Sequence, residues 1–190
     1  MSKMIFNEKI IKILEAFSSD YSKRVYGREI SRKFKMNQKT ISNILNKLEK
    51  ENILKFTSEG KNKYYYLNKF NPRIKEIIKL IEISRKSNFL DKNKNKQELF
   101  EKIEKRTKGV AIIFGSYSKN QANEKSDLDL FVMGSIEDLG DLEQLYNIKI
   151  NLIKSNAKKF NPQEHIIQEI INNHIILKGI EEFIGLIWKI

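Results

Sequence analysis

Apolar residues recur at two spacings along this chain. Ile10, Ile11, Ile13, Leu14 and Phe17 lie on one helical stripe, which predicts a helix over residues 7–19 with Asn7 as its cap and Glu8 in its first turn. Ile30 and Phe34 place a short helix over Gly27–Phe34. After the polar turn Lys35-Met36-Asn37, the stripe Ile41, Ile44, Leu45 and Leu48 predicts a longer helix from Gln38 to Glu51, capped by Asn37. Helical spacing returns with Ile74, Ile77, Ile78 and Ile81 behind Asn71-Pro72, in 97–108, behind Pro162 with Ile166, Ile167, Ile170 and Ile171, and in Ile180, Phe183, Ile184 and Ile187. Short apolar or alternating runs predict strands at 53–57, 63–67, 110–114, 128–133 and 148–153. Ile175-Ile176-Leu177 is a shorter run that ends near Gly179, and 136–145 is acidic and without a clear period.

A helix, a short helix, a tight turn and a longer helix are the parts of a helix-turn-helix. The two strands that follow, joined through Ser58–Asn62, read as a hairpin or wing. Residues 5–70 therefore resemble a winged-helix DNA-binding domain. With the apolar stripe inward, the longer helix turns Gln38, Lys39, Ser42, Asn43, Asn46 and Lys47 outward, where they can reach base edges and phosphates in a major groove. Arg28 and Arg32 on the preceding helix, and Lys61 and Lys63 at the wing, are placed for backbone phosphates.

Charge sharpens this picture. The net charge of +12 is concentrated early: residues 1–70 hold 16 Lys and Arg against 7 Asp and Glu, whereas 109–190 hold 8 against 11. No acid lies between Ser31 and Leu48. A basic first half and an acidic second half point to a polyanion bound by the first. The 190 residues suffice for two small domains, and the absence of cysteine excludes disulfides and thiolate zinc sites.

The chemistry of the second half centres on Gly115-Ser116, where an apolar strand runs into a turn, and on Ser126-Asp127-Leu128-Asp129-Leu130. Alternation puts Asp127 and Asp129 on one strand face. Two carboxylates beside a Gly-Ser turn can hold divalent metal near a phosphate chain. Strand, Gly-Ser, loop and Ser-Asp-x-Asp-Leu together resemble the signature of the DNA polymerase beta-like nucleotidyltransferase superfamily in its minimal form, over about residues 96–190. The resemblance implies nucleotide binding by Gly115, Ser116 and Ser126, and catalysis through Mg²⁺ held by Asp127 and Asp129, with a nucleoside triphosphate as substrate or ligand. Two positions depart from the pattern. Asn120 stands where a glycine is usual, and Asn151 falls where the third family carboxylate is expected; Glu137, Asp138 and Asp141 are the acids to consider if that placement fails.

The expected fold class is α+β: a winged helix-turn-helix domain over 1–70, a helical linker over 71–95, and a small mixed-sheet nucleotidyltransferase-fold domain over 96–190. The Ile74–Ile81 stripe is the candidate seam of a homodimer, and Asp91–Lys96 reads as a polar hinge. The expected function is a DNA-binding transcriptional regulator, with antitoxins as one type, acting on duplex DNA and with a partner protein encoded nearby. The alternative is an active Mg²⁺-dependent enzyme that moves a nucleoside monophosphate onto a protein, RNA or small molecule. His165 and His174 are expected at the surface or an edge rather than on a metal, and Trp188 is expected to close the core. Without a signal peptide or a membrane-length apolar run, the chain reads as cytoplasmic and away from membranes.

Overall fold

The computed structural model describes residues 6–18, 21–158 and 160–188. The chain divides into two compact units, Met1–Ile81 and Glu82–Ile190.

In the first unit, α1 (Glu8–Leu14) is capped by the Asn7 side chain, which accepts from Ile10 N at 3.0 Å, and it tightens into a 3-10 turn over Glu15–Phe17. The order continues with β1 (Val25–Tyr26), α2 (Gly27–Phe34), α3 (Gln38–Lys50), β2 (Leu54–Glu59) and β3 (Asn62–Leu67). Asn37 caps α3 by accepting from Lys39 N at 2.8 Å. Ile41, Leu45 and Leu48 of α3 are buried, and Ile44 is only half-buried because it lies at the edge of the stripe. The antiparallel sheet runs β1-β3-β2. Its hairpin turn is shorter than Ser58–Asn62: Glu59 pairs with Asn62, and Gly60 at φ +60 supplies the left-handed residue of the two-residue loop.

Helix α4 (Ile74–Lys92) contributes residues to both units. Its Ile74, Ile77, Ile78 and Ile81 stripe is buried within the single chain, so these side chains are not free to form a dimer seam. The segment expected as a hinge begins inside α4 and continues as a 3-10 turn over Lys94–Lys96.

The second unit contains α5 (Gln97–Arg106), β4 (Thr107–Ile113), α6 (Gly115–Ser118), β5 (Leu128–Ile136), α7 (Gly140–Tyr146), β6 (Ile150–Ser155), α8 (His165–Asn172), β7 (Ile175–Lys178) and α9 (Ile180–Ile187). The sheet order is β6-β5-β4-β7, with β5–β6 parallel and the other two pairs antiparallel. Alternation divides the strands between two cores. Leu128, Leu130 and Val132 pack in a cluster with Leu99, Phe100, Ile103 and Leu142. Phe131 belongs to the other face, where it meets Phe160, which in turn meets Phe183 at 6.3 Å between ring centroids. The acidic segment after β5 becomes α7, and α8 begins at His165, three residues beyond Pro162.

One histidine expectation is corrected. His165 is exposed, but His174 is fully buried. Its Nδ1 donates to the Ile171 carbonyl at 2.7 Å, which leaves Nε2 to accept from Arg85 Nη1 at 3.0 Å. The same Arg85 nitrogen lies 2.7 Å from the buried Glu82 carboxylate. Trp188 is half-buried, so the terminal core is closed mainly by Phe183, Ile184 and Ile187.

Candidate functional site

The carboxylate site is built where β4 ends and β5 begins. Phe114 N donates to the Asp129 carbonyl at 3.1 Å, tying the Gly-Ser turn to the acidic strand. Gly115 follows at φ +64, and a Cβ there would overlap the Asp129 carboxylate. Only glycine combines that backbone angle with so close an approach. Ser116 is half-buried, and its hydroxyl has no partner among the described residues. Ser126 braces the loop, with its hydroxyl oxygen accepting from Asn123 N at 2.9 Å. Asn120 adopts φ +55, so it meets the conformational demand for which a glycine is usual; asparagine tolerates this left-handed region better than most residues.

The parallel ladder between β5 and β6 pairs Asp129 with Asn151. Asn151 thus occupies the neighbouring-strand position, as its place in the sequence suggested. Its Nδ2 lies 3.3 Å from Asp127 Oδ2 and 3.1 Å from Asp129 Oδ1. One amide therefore donates toward both carboxylates. An oxygen in the same place would face two like charges, so hydrogen bonding selects this amide orientation. Lys149 Nζ lies 3.6 Å from Asp127 Oδ2 at an exposed position. Sequence reasoning missed Lys149, although it precedes Asn151 by two residues and the strand period could have placed it on the same face.

The acids held in reserve do not reach this place. Glu137 and Asp138 follow β5, and Asp129 and Ile136 are separated by roughly 23 Å of extended strand. Asp141 is engaged by Arg106: the guanidinium donates to both of its oxygens and holds the carboxyl down to about 2. Among the described residues, no group of three His, Cys, Asp or Glu side chains is placed to hold a metal. The donor set at the site is two carboxylates and an amide. That set fits one hard cation, provided the amide turns its oxygen inward, and it is short of negative charge for two.

The first unit carries a different surface. Gln38, Lys39, Ser42, Asn43, Asn46 and Lys47 are all exposed on α3, as are Arg28, Arg32, Lys61 and Lys63. None of these cations forms an ion pair with a carboxylate among the described residues. Asn46 is partly committed, because its Oδ1 accepts from the Tyr65 hydroxyl at 3.0 Å. Burial, with the Glu49 charge adding to it, raises the Tyr65 phenol and keeps it a donor. Lys63 packs over the Phe56 ring at 4.1 Å, and Arg28 over the Tyr26 ring at 5.9 Å.

Among the described residues, no helix is long and apolar enough to cross a membrane. No curated protein and no solved structure matches the chain. Residues 97–182 match the family model described as polymerase beta, nucleotidyltransferase. The second unit therefore carries a nucleotidyltransferase-fold domain.

Proposed function

We propose that the chain is a DNA-binding regulator whose first unit is a winged helix and whose nucleotidyltransferase-fold domain serves as a nucleotide-responsive module with slow or absent transfer. The observation that carries the DNA reading is the outward face of α3, six polar and basic side chains with no acid among them. The order α1, β1, α2, α3 and a β2–β3 hairpin supports it, since a helix-turn-helix followed by a wing has that succession of elements. Lys39 and Lys47 would bind phosphates, and Asn43 would meet a base edge. Lys39→Ala should weaken binding to every duplex sequence, whereas Asn43→Ala should relax sequence preference by about 1–3 kcal/mol at one base pair. Equal affinity of the Lys39→Ala protein and the unaltered protein for duplex DNA would overturn the assignment.

The reading of the second unit rests on Asn151. Asp127, Asp129 and the side-chain oxygen of Asn151 would hold a single Mg²⁺, with Gly115 and Ser116 lining the phosphate side. When bound, the ion would neutralise triphosphate oxygens. A neutral amide cannot accept a proton from an acceptor hydroxyl, nor can it add the charge that a second ion needs. Calorimetry with a nucleoside triphosphate and Mg²⁺ should give weak binding that Asp127→Asn abolishes. A labelled-nucleotide assay should show little transfer by the unaltered protein and more by Asn151→Asp.

The second reading is an active nucleotidyltransferase. It is favoured by the survival of both acids beside the Gly-Ser turn. Transfer at an ordinary enzymatic rate, slowed by Asn151→Asp, would establish it over the first.

A further inference from the structure

The end of the β2–β3 hairpin away from the Gly60 turn carries a feature that neither the α3 face nor the carboxylate site uses. Phe70 is 89% exposed there, the most exposed of the large apolar side chains described. Its position is imposed rather than loose. The buried Asn68 donates to the Asn52 carbonyl at 2.9 Å, and its Oδ1 accepts from Phe70 N at 3.2 Å. Asn71 donates to the same Asn52 carbonyl at 2.9 Å. A turn braced on both sides in this way holds the phenyl ring out in water.

Phe70 lines a cleft of about 330 Å³ together with Arg24, Lys55, Tyr66 and Lys69. Lys55 and Tyr66 are opposite partners in the antiparallel ladder and so share a sheet face. Lys55 Nζ lies 5.5 Å from the centre of the Phe70 ring. Arg24 pairs with Glu59 at 3.9 Å, and both side chains are largely exposed, so the pair yields readily to a stronger anion. No carboxylate occurs among the described lining residues.

We infer that this cleft binds a phosphorylated nucleobase, with the base stacked on Phe70 and the phosphate held by Lys55 and Arg24. A flat aromatic face next to cations is the combination that single-stranded nucleic acid and nucleotides require. The volume suits one nucleotide unit. Lys55 stands roughly 17 Å of strand from Gly60, at the hairpin end opposite the wing turn, while the Arg24 side chain reaches back along the sheet to Glu59. The ligand is either a free nucleotide or a unit of a single strand.

The full-length chain and its Phe70→Ala, Lys55→Ala and Lys39→Ala variants are titrated against a fluorescent oligothymidine of about ten nucleotides. Phe70→Ala should lose about ten-fold or more in affinity, because base stacking on an aromatic ring has that weight. Lys55→Ala should weaken binding and flatten its salt dependence. Lys39→Ala should lower single-strand affinity far less than Phe70→Ala does. In a fourth variant, Phe70→Trp, the introduced indole should be quenched by the strand. Adenosine monophosphate that competes with the oligothymidine in a Phe70-dependent way marks a free-nucleotide site, whereas absence of competition marks a strand site. Single-strand affinity within about two-fold of the parent after Phe70→Ala, or an unquenched indole in Phe70→Trp, overturns the inference.

Discussion

Asn151 gives the acids of β5 a partner that a cation would otherwise supply. Its amide donates toward Asp127 at 3.3 Å and Asp129 at 3.1 Å, and Lys149 adds a positive charge nearby. The chain itself thus offsets part of the negative charge of the two acids. Asn151→Asp would place a third carboxylate against the first two. Without divalent cation, that protein should be about 1–2 kcal/mol less stable than the parent, a fall of several degrees in Tm, and Mg²⁺ should restore it. The parent's Tm should respond weakly to Mg²⁺. Equal responses in the two proteins would remove Asn151 from the metal site. Gly115 makes a second test. An alanine methyl would collide with the Asp129 carboxylate at a backbone angle of φ +64. Gly115→Ala should cost about 1–3 kcal/mol in denaturant unfolding and weaken nucleotide binding. Gly115 was legible because an apolar strand runs into a turn there, and Asn151 was placed by the resemblance to nucleotidyltransferases. Lys149 was missed, although its two-residue spacing from Asn151 puts it on the same face, one residue before β6 begins.

At the scale of elements, α4 is tied to the second unit's sheet through a buried polar cluster. Glu82 and His174 side chains are fully buried, and Arg85 is nearly so. Removing one member leaves a charge without its partner in low dielectric. Glu82→Ala should therefore destabilise by about 3–5 kcal/mol, read by chemical denaturation. A loss below 1 kcal/mol would mean that water already reaches Arg85. The helix α7 is held differently, at the surface, by the Arg106–Asp141 pair. The Asp141 carboxyl is lowered from 3.8 to about 2, chiefly by the hydrogen bond from Arg106. Its contribution is complete above 3.8 and is lost as pH falls through about 2. Arg106→Ala should remove that part of the acid transition in thermal melts, and the effect should be small because the pair is exposed. The sequence revealed α1, α3, β4 and β5 because each sustains one period over several residues. It concealed β1, since two residues carry no period, and α7, whose buried contribution is the single Leu142. The burial of His174 also escaped, because its partners lie about 90 residues away in the chain.

At the scale of the whole molecule, charge and chemistry are segregated. The first 70 residues hold a net charge of +9, and the nucleotidyltransferase-fold domain matched over 97–182 carries the acids. This division was legible from charge counting alone. Where the α4 isoleucine stripe is covered was not, because it reads the same whether it is buried in one chain or between two. With Ile74, Ile77, Ile78 and Ile81 covered within the single chain, that stripe is not the surface through which two copies would meet. The measurement closest to the central claim is the affinity of the full-length protein for duplex DNA as a function of salt. About four to six phosphate contacts from α2, α3 and the hairpin predict a log–log slope of about −4 to −5. Lys39→Ala should reduce that slope by about one, and Asp127→Asn should leave it unchanged. A salt-independent affinity, or no duplex binding at low salt, would contradict the account.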